Sequence, residues 1–278
     1  MSEVSEKLED LRGLLKGYGS CLVAYSGGVD SVFLAHVARQ VLGDHMLAII
    51  ADSPSLPRRE LQEALEIAKK FSFPVRVIKT QEFANENYTS NPVNRCFYCK
   101  YELFADLTPL AIAEGFRVIA YGENASDIGD FRPGAEAASK FQIRAPLKEA
   151  GLTKSEIRLI SAQFGLPTAD KPQMACLSSR VPYGESVTPE KLRMIEQAEY
   201  VLRDLGFHEV RVRHHELQNQ SMARIELARG EIPALLADGQ FSIVAEKMKA
   251  IGYAHITLDL EGYRRGSTNE IVAQKNGN

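Results

Sequence analysis

Short apolar segments alternate with longer amphipathic segments along the chain as far as about residue 170. Short apolar runs bounded by polar residues are typical of buried strands, whereas apolar residues spaced three and four apart indicate helices. The predicted strands are 21–25, 46–51, 75–79 and 117–121, and the predicted helices between them are 31–42, 57–71 and 97–114. Strands that alternate with helices predict a parallel sheet covered on both faces, which is the doubly wound α/β fold class.

The pattern changes after Gly165, where proline, serine and glycine become frequent. Beyond this stretch the predicted elements are a helix over 189–205, strands over 209–214 and 222–227, a helix over 241–251 and a strand over 255–260. We therefore expect three parts: a first domain over 1–170, a linker over 171–187 that carries Cys176, and a smaller α+β domain over 188–278. Residues from about Arg264 are expected to form a frayed tail.

The composition is that of a globular protein of roughly two domains, since the chain has 278 residues, 45% hydrophobic and 25% charged. The net charge of −3 argues against a protein that coats nucleic acid, because phosphate contacts need clustered positive charge. The N-terminal residues are polar, and no apolar run approaches the ~20 residues of a membrane span. We expect a cytoplasmic protein with neither a membrane nor a nucleic acid as its partner.

The most informative motif lies between the first predicted strand and its helix. It reads Ser26-Gly27-Gly28-Val29-Asp30-Ser31. Two glycines allow a sharp turn and a close approach of the backbone to a ligand, and a helix N-terminus attracts anions. An acidic residue beside a phosphate site indicates a bridging metal ion, so we assign Asp30 to Mg²⁺. The alternative is a plain glycine turn before a helix.

Two further polar segments follow predicted strands, and ligands of parallel sheets bind beyond the carboxyl ends of the strands. Asp52 and Ser53 follow the second strand, where they could instead cap the next helix. The residues after the fourth strand are Gly122, Glu123, Asn124 and Asp127. They have the character of a second nucleotide loop that holds ribose, metal or substrate, with an ordinary polar loop as the alternative.

The four cysteines are Cys21, Cys96, Cys99 and Cys176. Cys21 lies in a predicted core strand, and we expect a small buried side chain there. The Cys96-x-x-Cys99 spacing suits zinc, an iron–sulfur cluster or a redox dithiol. No second pair completes a zinc site, but a third thiolate from Cys176 would fit a four-iron cluster with one iron open. The alternative is a pair of thiols at a helix start.

Cys176 lies in the predicted linker, in the stretch Met174-Ala-Cys-Leu-Ser-Ser-Arg180. A nearby cation lowers the pKa of a thiol and increases the thiolate fraction. Cys176 is therefore a candidate nucleophile, and an ordinary linker thiol is the alternative.

Arg211 and Arg213 alternate along a predicted strand, so their side chains face one side of the sheet. Two guanidinium groups on one face suit a phosphate or a carboxylate, and a solvated edge strand is the alternative. His214 and His215 are adjacent and point to opposite faces, which disfavours a metal site made from both.

Five motifs together resemble the LarE family of ATP-dependent sulfur transferases, which belongs to the PP-loop ATP pyrophosphatase superfamily. The motifs are AYSGGVDS near residue 25, NRCFYCK near 96, YGENASD near 122, MACLSSR near 176 and RVRHHE near 211. The first motif indicates the superfamily alone, and those near Cys176 and Arg211 indicate the family. The resemblance covers most of the chain and implies an adenine-nucleotide-hydrolase-like fold that binds ATP on Ser26–Ser31, with Asp52 and Ser53 near the nucleoside.

The resemblance also implies a reaction. With ATP and Mg²⁺, such enzymes adenylate the carboxylates of pyridinium-3,5-biscarboxylic acid mononucleotide and convert them to thiocarboxylates, a step in the synthesis of the nickel-pincer nucleotide cofactor of lactate racemase. Adenylation supplies the leaving group that a free carboxylate lacks. The residues implied for the pocket of the mononucleotide phosphate are Arg180, Glu199, Arg211 and Arg213. The C-terminal domain is expected to bind substrate and to mediate homo-oligomerisation.

The family divides over the source of sulfur. In one type the cysteine that matches Cys176 gives up its own sulfur and becomes dehydroalanine, and that type lacks the C-x-x-C pair. In the other type three cysteines hold a [4Fe-4S] cluster whose open iron carries a sulfide. This sequence has Cys96 and Cys99 and so resembles the second type, with Cys96, Cys99 and Cys176 as catalytic residues and an unidentified sulfide donor.

Other functions stay open from the sequence. A PP-loop ligase that amidates its substrate, as in NAD synthesis, would need ammonia and no thiolates. A tRNA thiolase shares the loop and a three-cysteine cluster. A nucleotide-sensing or metal-storage module would bind ATP without releasing AMP.

Overall fold

The computed structural model describes residues 3–127, 133–172, 175–218, 220–237 and 239–264. The strands are β1 Cys21–Ala24, β2 Met46–Asp52, β3 Val75–Lys79, β4 Val118–Tyr121, β5 Val210–Leu217, β6 Gln220–Leu227 and β7 His255–Leu258. The α-helices are α1 Glu3–Tyr18, α2 Val29–Leu42, α3 Arg58–Lys70, α4 Glu86–Thr89, α5 Arg95–Glu114, α6 Pro133–Lys140, α7 Pro146–Glu149, α8 Lys154–Gln163, α9 Pro189–Asp204, α10 Ile232–Leu236 and α11 Gln240–Ile251. The predicted tail from Arg264 falls, after that residue, outside the described residues.

The chain forms two compact units. The first comprises Met1–Glu82 and Cys96–Met174, and the second comprises Phe83–Arg95 and Ala175–Asn278. Over the described residues, no helix combines the length and the apolar content that crossing a membrane requires.

The first unit contains a parallel sheet with the strand order β3-β2-β1-β4. Both faces are covered: along β1, Cys21 and Val23 pack with α1, α2, α3 and α8, whereas Leu22 and Ala24 pack with α5 and α6. Burial on both faces explains why these strands are continuous apolar runs in the sequence. The predicted doubly wound α/β fold is confirmed.

The strand order fixes where a ligand can bind in this unit. From β1 the chain continues outward through β2 and β3, while β4 lies on the other side of β1. The connections after β1 and β4 therefore run to opposite faces and leave a crevice between them at the carboxyl ends of the strands. The loops that begin at Tyr25 and Gly122 lie at this crevice.

The second unit contains a three-stranded sheet of order β5-β6-β7, in which β5 and β6 are antiparallel and β6 and β7 are parallel. Helices α9 and α11 cover one face, where Val210 and Val212 of β5 pack against Leu202 and Met248. This is the smaller α+β sheet expected from the sequence. The opposite face carries the arginines of β5.

Segment 83–95 packs with this second unit, although it precedes α5 of the first. Phe83 contacts the apolar cluster formed by Leu177, Val181 and Leu192 among others. The backbone N–H of Val187 donates to the Thr89 carbonyl at 2.8 Å. The sequence alone suggests no such excursion, because these contacts join residues about a hundred positions apart.

Candidate active site

The loop between β1 and α2 is closed by its own serines. Ser31 Oγ donates to the Gly28 carbonyl at 3.0 Å and accepts from the Ser26 N–H at 3.1 Å. The Oγ atoms of Ser26 and Ser31 lie 3.1 Å apart. Gly28 precedes α2 without a side-chain cap, so the first N–H groups of the helix face the loop. This arrangement is suited to an anion such as a phosphate.

Gly27 can only be glycine in this loop. Its φ is +72°, and a Cβ at this position would lie 2.7 Å from the Cβ of Ala64 on α3. A side chain here would therefore be strained and would also push α3 away from the loop.

Asp30 lies on the first turn of α2 and meets two side chains from elsewhere in the first unit. Its carboxylate forms an ion pair with Lys154 Nζ and accepts a hydrogen bond from Asn124 Nδ2 at 3.3 Å. Lys154 is the first residue of α8 and is half-buried. The three residues bring a carboxylate, an amide and an ammonium group to one point beside the loop.

The loop after β4 packs directly on the loop after β1. A Cβ at Gly122 would lie 3.0 Å from the Ser31 nitrogen and 3.1 Å from the carbonyl carbon of Asp30. Asp127 accepts the N–H of Asn124 at 3.2 Å, which shapes the loop so that Asn124 can reach Asp30. Glu123 is buried and accepts from Lys148 Nζ at 2.8 Å, and its contact with ribose, metal or substrate stays a prediction.

Asp52 and Ser53, at the end of β2, are engaged in the connection to α3. Asp52 forms an ion pair with Arg58, and Arg58 also donates to the Ser53 carbonyl at 2.6 Å. Ser53 Oγ accepts the N–H of Ser55 at 3.1 Å. These contacts fit the alternative of a loop that leads into a helix, and a contact with the nucleoside stays a prediction.

In the second unit, Arg180 is fully buried and its partners are all protein groups. Its Nε and Nη2 donate to the two carboxylate oxygens of Glu199 at 2.8 and 3.1 Å. Its Nη1 donates to the carbonyls of Ala175 and Cys176 at 2.6 and 3.0 Å. Burial alone would raise the pKa of Glu199, but the ion pair with Arg180 holds it below its usual value. Both groups are therefore charged inside the protein.

Arg211 and Arg213 share a face of β5, and both are buried, so this outer strand is not a solvated edge. Arg213 binds both oxygens of Glu226 at 2.9 and 2.8 Å and donates to the Ser179 carbonyl at 2.9 Å. Arg211 lies over the ring of Tyr263, 4.9 Å from its centroid. Burial, and then the charge of Arg180, lowers the pKa of Arg211. Arg211 and Arg213 are therefore desolvated cations on one face of β5, and Glu226 is the counter-ion of Arg213.

The two histidines of β5 point to opposite faces. His214 is buried with Nδ1 3.3 Å from the Tyr253 hydroxyl, on the side of α9 and α11. His215 accepts from Arg224 Nε at 3.2 Å on the other side.

The four cysteines are thiols and differ in exposure. Cys21 is fully buried, and burial raises its pKa to about 12, as expected for a core residue. Cys96 is exposed and Cys99 half-buried, one turn apart at the start of α5 in the first unit. Cys176 is exposed in the second unit, where its carbonyl is held by Arg180.

The described residues contain no group of three or more histidine, cysteine, aspartate or glutamate side chains arranged as a metal site. A cluster on Cys96, Cys99 and Cys176 therefore stays a prediction. Asp30 by itself suits Mg²⁺, which is usually held by one or two carboxylates together with phosphate oxygens and water.

Several residues of these sites were not predicted from the sequence. Thr153 and Glu156 form a capping box that could have placed Lys154 on the first turn of a helix, but nothing local pairs it with Asp30. Tyr88, Asn91 and Arg95 contact the loop after Cys176. The Asn91-Pro92 dipeptide signals a turn but not that contact.

Comparison with known proteins identifies one matching family and several relatives. The family described as NAD synthase matches residues 6–93, which include the loop from Ser26 to Ser31. An uncharacterized protein of Synechocystis sp. is 44% identical over 271 residues, 98% of this chain and 100% of the relative.

Two further relatives have named activities. The pyridinium-3,5-bisthiocarboxylic acid mononucleotide synthase of Lactiplantibacillus plantarum is 30% identical over 275 residues, 99% of this chain and 98% of the relative. A glutamine-hydrolyzing GMP synthase of Alkaliphilus metalliredigens is 27% identical over 233 residues, 72% of this chain and 42% of the relative.

Proposed function

Because the chain belongs to the LarE family of PP-loop sulfur transferases, which are ATP-dependent enzymes, we propose that it converts pyridinium-3,5-biscarboxylic acid mononucleotide to the bisthiocarboxylic acid mononucleotide. The observation that carries the proposal is the loop from Ser26 to Ser31, which presents the uncapped start of α2 beside the Asp30 carboxylate. A site for the phosphates of ATP is the function that this geometry supports best.

In the first half-reaction the chain's task is to bind the phosphates and neutralise their charge. We assign the phosphates of ATP to the backbone N–H groups at the start of α2, and Asp30 would hold a Mg²⁺ ion that offsets their negative charge. Lys154 now neutralises Asp30, and a divalent ion there would compete with that ion pair. The ammonium group would then donate to a phosphate oxygen instead.

The chemistry of this step is a displacement at phosphorus. A carboxylate oxygen of the substrate attacks the α-phosphorus of ATP, and pyrophosphate leaves with the bonding electron pair. The product is an acyl adenylate, whose AMP group is a good leaving group. A sulfur nucleophile then attacks the acyl carbon and AMP departs, which yields the thiocarboxylate.

We assign the substrate phosphate to the arginine-bearing face of the second unit. Arg180, Arg211 and Arg213 are buried there with Glu199 and Glu226. A dianionic phosphate would add negative charge where burial already disfavours the cationic form of Arg211. Arg211 would donate to phosphate oxygens, Arg213 would add positive charge while it holds Glu226, and Glu199 would keep Arg180 oriented.

The sulfur source in this proposal is a [4Fe-4S] cluster held by Cys96, Cys99 and Cys176. The support is the number of accessible thiols: two lie one helical turn apart at a helix start, and the third is exposed. When bound, such a cluster would supply a sulfide nucleophile and allow repeated turnover. Sacrificial donation of the Cys176 sulfur is the alternative.

The test begins with the wild-type chain purified without oxygen. Iron and acid-labile sulfide are counted, and about four of each per chain are expected. Thiocarboxylate and pyrophosphate are then measured with ATP, Mg²⁺ and the mononucleotide. Several thiocarboxylates per chain in the presence of sulfide support the cluster. A single turnover that leaves dehydroalanine at Cys176 would support sacrificial donation instead.

A matched variant separates the two sulfur sources. Cys96→Ala should abolish thiocarboxylate formation if the cluster is the source, whereas Cys21→Ala should leave it unchanged because Cys21 is buried in the core. Full single-turnover activity of Cys96→Ala would overturn the cluster proposal.

The same assay tests the other PP-loop functions. An amidating ligase, as the similarity to NAD synthase over residues 6–93 would permit, should form product with ammonium after all three exposed or half-buried thiols are replaced by alanine. A tRNA thiolase should bind tRNA in a salt-dependent manner. We further propose that the chain acts in the cytoplasm and that it forms a homo-oligomer. Light scattering of the purified protein would give the molar mass and so test the oligomeric state.

A further inference from the structure

Three of the four cysteines lie close to places where the chain passes from one compact unit to the other. Arg95 is the last residue of segment 83–95, and Cys96 follows it directly in the first unit. The second unit resumes at Ala175, and Cys176 is its next residue. Cys96 is therefore the first residue after one such passage, and Cys176 is the second residue after another.

Arg95 contacts the loop that follows Cys176. It directly precedes Cys96, and its Nη1 donates to the Ser178 carbonyl at 3.0 Å, two residues after Cys176. The same Nη1 donates to Asn91 Oδ1, which holds the guanidinium group in place. The Arg95 guanidinium group also lies 5.8 Å from the centroid of the Tyr183 ring.

Neighbouring side chains of segment 83–95 bind the same loop. Tyr88 OH lies 2.7 Å from Ser178 Oγ. Asn91 Nδ2 donates to the carbonyls of Pro182 and Glu185 at 2.7 and 3.0 Å. The side chains of Tyr88, Asn91 and Arg95 therefore fix the loop over residues 178–185.

The four side chains that make these contacts are removed from water. Asn91 and Ser178 are fully buried, Tyr88 is 1% exposed and Arg95 is 3% exposed. A buried polar contact that loses one partner leaves the other desolvated and unsatisfied, so the loop has a strong preference for this arrangement. Arg180 holds the other end of the same loop through the carbonyls of Ala175 and Cys176.

We infer that Arg95 is a positioning residue for sulfur transfer: it anchors the Cys176 loop through Ser178 and thereby sets the position from which the Cys176 thiol acts. The inference rests on the proposed function, in which Cys176 takes part in the second half-reaction. Adenylation uses the loop from Ser26 to Ser31 and does not require this anchor. Loss of Arg95 should therefore separate the two half-reactions.

The experiment measures both half-reactions on Arg95→Ala, Arg95→Lys and Arg193→Ala. Arg193 is an exposed arginine of the same unit and serves as the control. Adenylation is followed as pyrophosphate release with hydroxylamine as the acceptor, and sulfur transfer as thiocarboxylate formed. Trypsin cleavage after Arg180, which is fully buried in the wild type, reports whether the loop has come loose.

We expect Arg95→Ala to reduce sulfur transfer by about tenfold or more, because misplacement of a reacting group by an ångström can cost a factor of this size. Pyrophosphate release should stay within about twofold of the wild type, and cleavage after Arg180 should become faster. Arg95→Lys keeps the charge but loses the planar guanidinium fork, so its rate of sulfur transfer should lie between those of Arg95→Ala and the wild type. Arg193→Ala should match the wild type throughout.

If Arg95→Ala forms thiocarboxylate at the wild-type rate, the inference is overturned and the proposed function stays intact. Equal loss of both half-reactions in Arg95→Lys would also overturn it, because that result indicates a general structural role. Failure of the wild type itself to form thiocarboxylate, with adenylation intact, would instead contradict the proposed function.

Discussion

Arg180 and Glu199 form a bidentate ion pair that is closed off from solvent, with Arg180 0% and Glu199 3% exposed. The remaining Nη1 of Arg180 donates to the carbonyls of Ala175 and Cys176. Glu199 also accepts the backbone N–H of Val212 at 3.2 Å. One ion pair thus joins α9, strand β5 and the start of the Cys176 loop.

Removal of the Glu199 carboxylate should destabilise the protein strongly. In Glu199→Ala the Arg180 cation stays buried without its counter-ion, and breaking a buried pair in this way costs about 3–5 kcal/mol. Urea unfolding measures this loss. The exposed Glu246→Ala on α11 is the control and should change the free energy of unfolding by less than about 0.5 kcal/mol. Similar losses in both variants would show that the pair is not a principal source of stability.

Gly27→Ala should weaken both the fold and the binding of ATP. The positive φ and the 2.7 Å approach to Ala64 strain any side chain at this position, at a cost of at least about 1 kcal/mol. Gly13→Ala is the matched control, since Gly13 is exposed in α1 with no heavy atom within 4 Å of the added Cβ. That change should stabilise the helix by about 0.5–1 kcal/mol. Unchanged ATP affinity in Gly27→Ala would contradict a phosphate site at this loop.

Lys154→Ala should raise the KM for ATP. An ammonium group that donates to a phosphate oxygen contributes about 1.5–3 kcal/mol, so the KM should rise about tenfold or more. Lys249→Ala, an exposed lysine of α11, serves as the control and should leave KM unchanged. A KM that stays at the wild-type value in Lys154→Ala would restrict Lys154 to its ion pair with Asp30.

Strand positions in the first unit could be predicted closely from the sequence. Strand β3 spans Val75–Lys79 as predicted, and β1, β2 and β4 differ by one residue at one end. Strands buried on both faces appear as unbroken apolar runs, and glycine-rich turns mark where they end. The same local signals identified the loop from Ser26 to Ser31.

Contacts between distant polar residues could not be predicted in this way. Asp30 and Lys154 are 124 positions apart, and Asn91 binds a carbonyl 91 positions away. The hydrophobic periodicity that predicts helices and strands carries no information about either pair. A buried ion pair also uses the same residue types as a solvent-exposed one, so the sequence does not distinguish the two. For the same reason the arginines of β5 looked open to ligand, whereas Arg213 holds Glu226 with both arms of its guanidinium group.

Iodoacetamide at pH 8 should distinguish the cysteines of the metal-free, reduced protein. Cys96 and Cys176 are exposed and should react first, and the half-buried Cys99 should react more slowly. Cys21 should stay unmodified, because burial raises its pKa to about 12 and leaves about one thiol in ten thousand as thiolate. Peptide mass spectrometry gives the extent of labelling, and unfolding in urea should make all four react. Early labelling of Cys21 in the folded chain would contradict its place in the core.

Acid should destabilise the second unit through His214. The ring is buried, and burial lowers its pKa from about 6.5 to about 4; Lys191 and His215 also oppose protonation, whereas Glu216 favours it. Above pH 6.5 the ring is neutral in both states and has no effect. As the pH falls toward 4, the unfolded chain takes up a proton that the folded chain does not, so stability is lost at up to about 1.4 kcal/mol per pH unit.

The free energy of unfolding should therefore be measured at several pH values between 7.5 and 5 for the wild type and for His214→Leu. The variant removes the titrating group, so the difference between the two proteins should shrink or reverse as the pH falls. His208→Gln, at an exposed position, is the control and should follow the wild type at every pH. A difference between His214→Leu and the wild type that does not vary with pH would mean that the buried ring takes up its proton without unfolding.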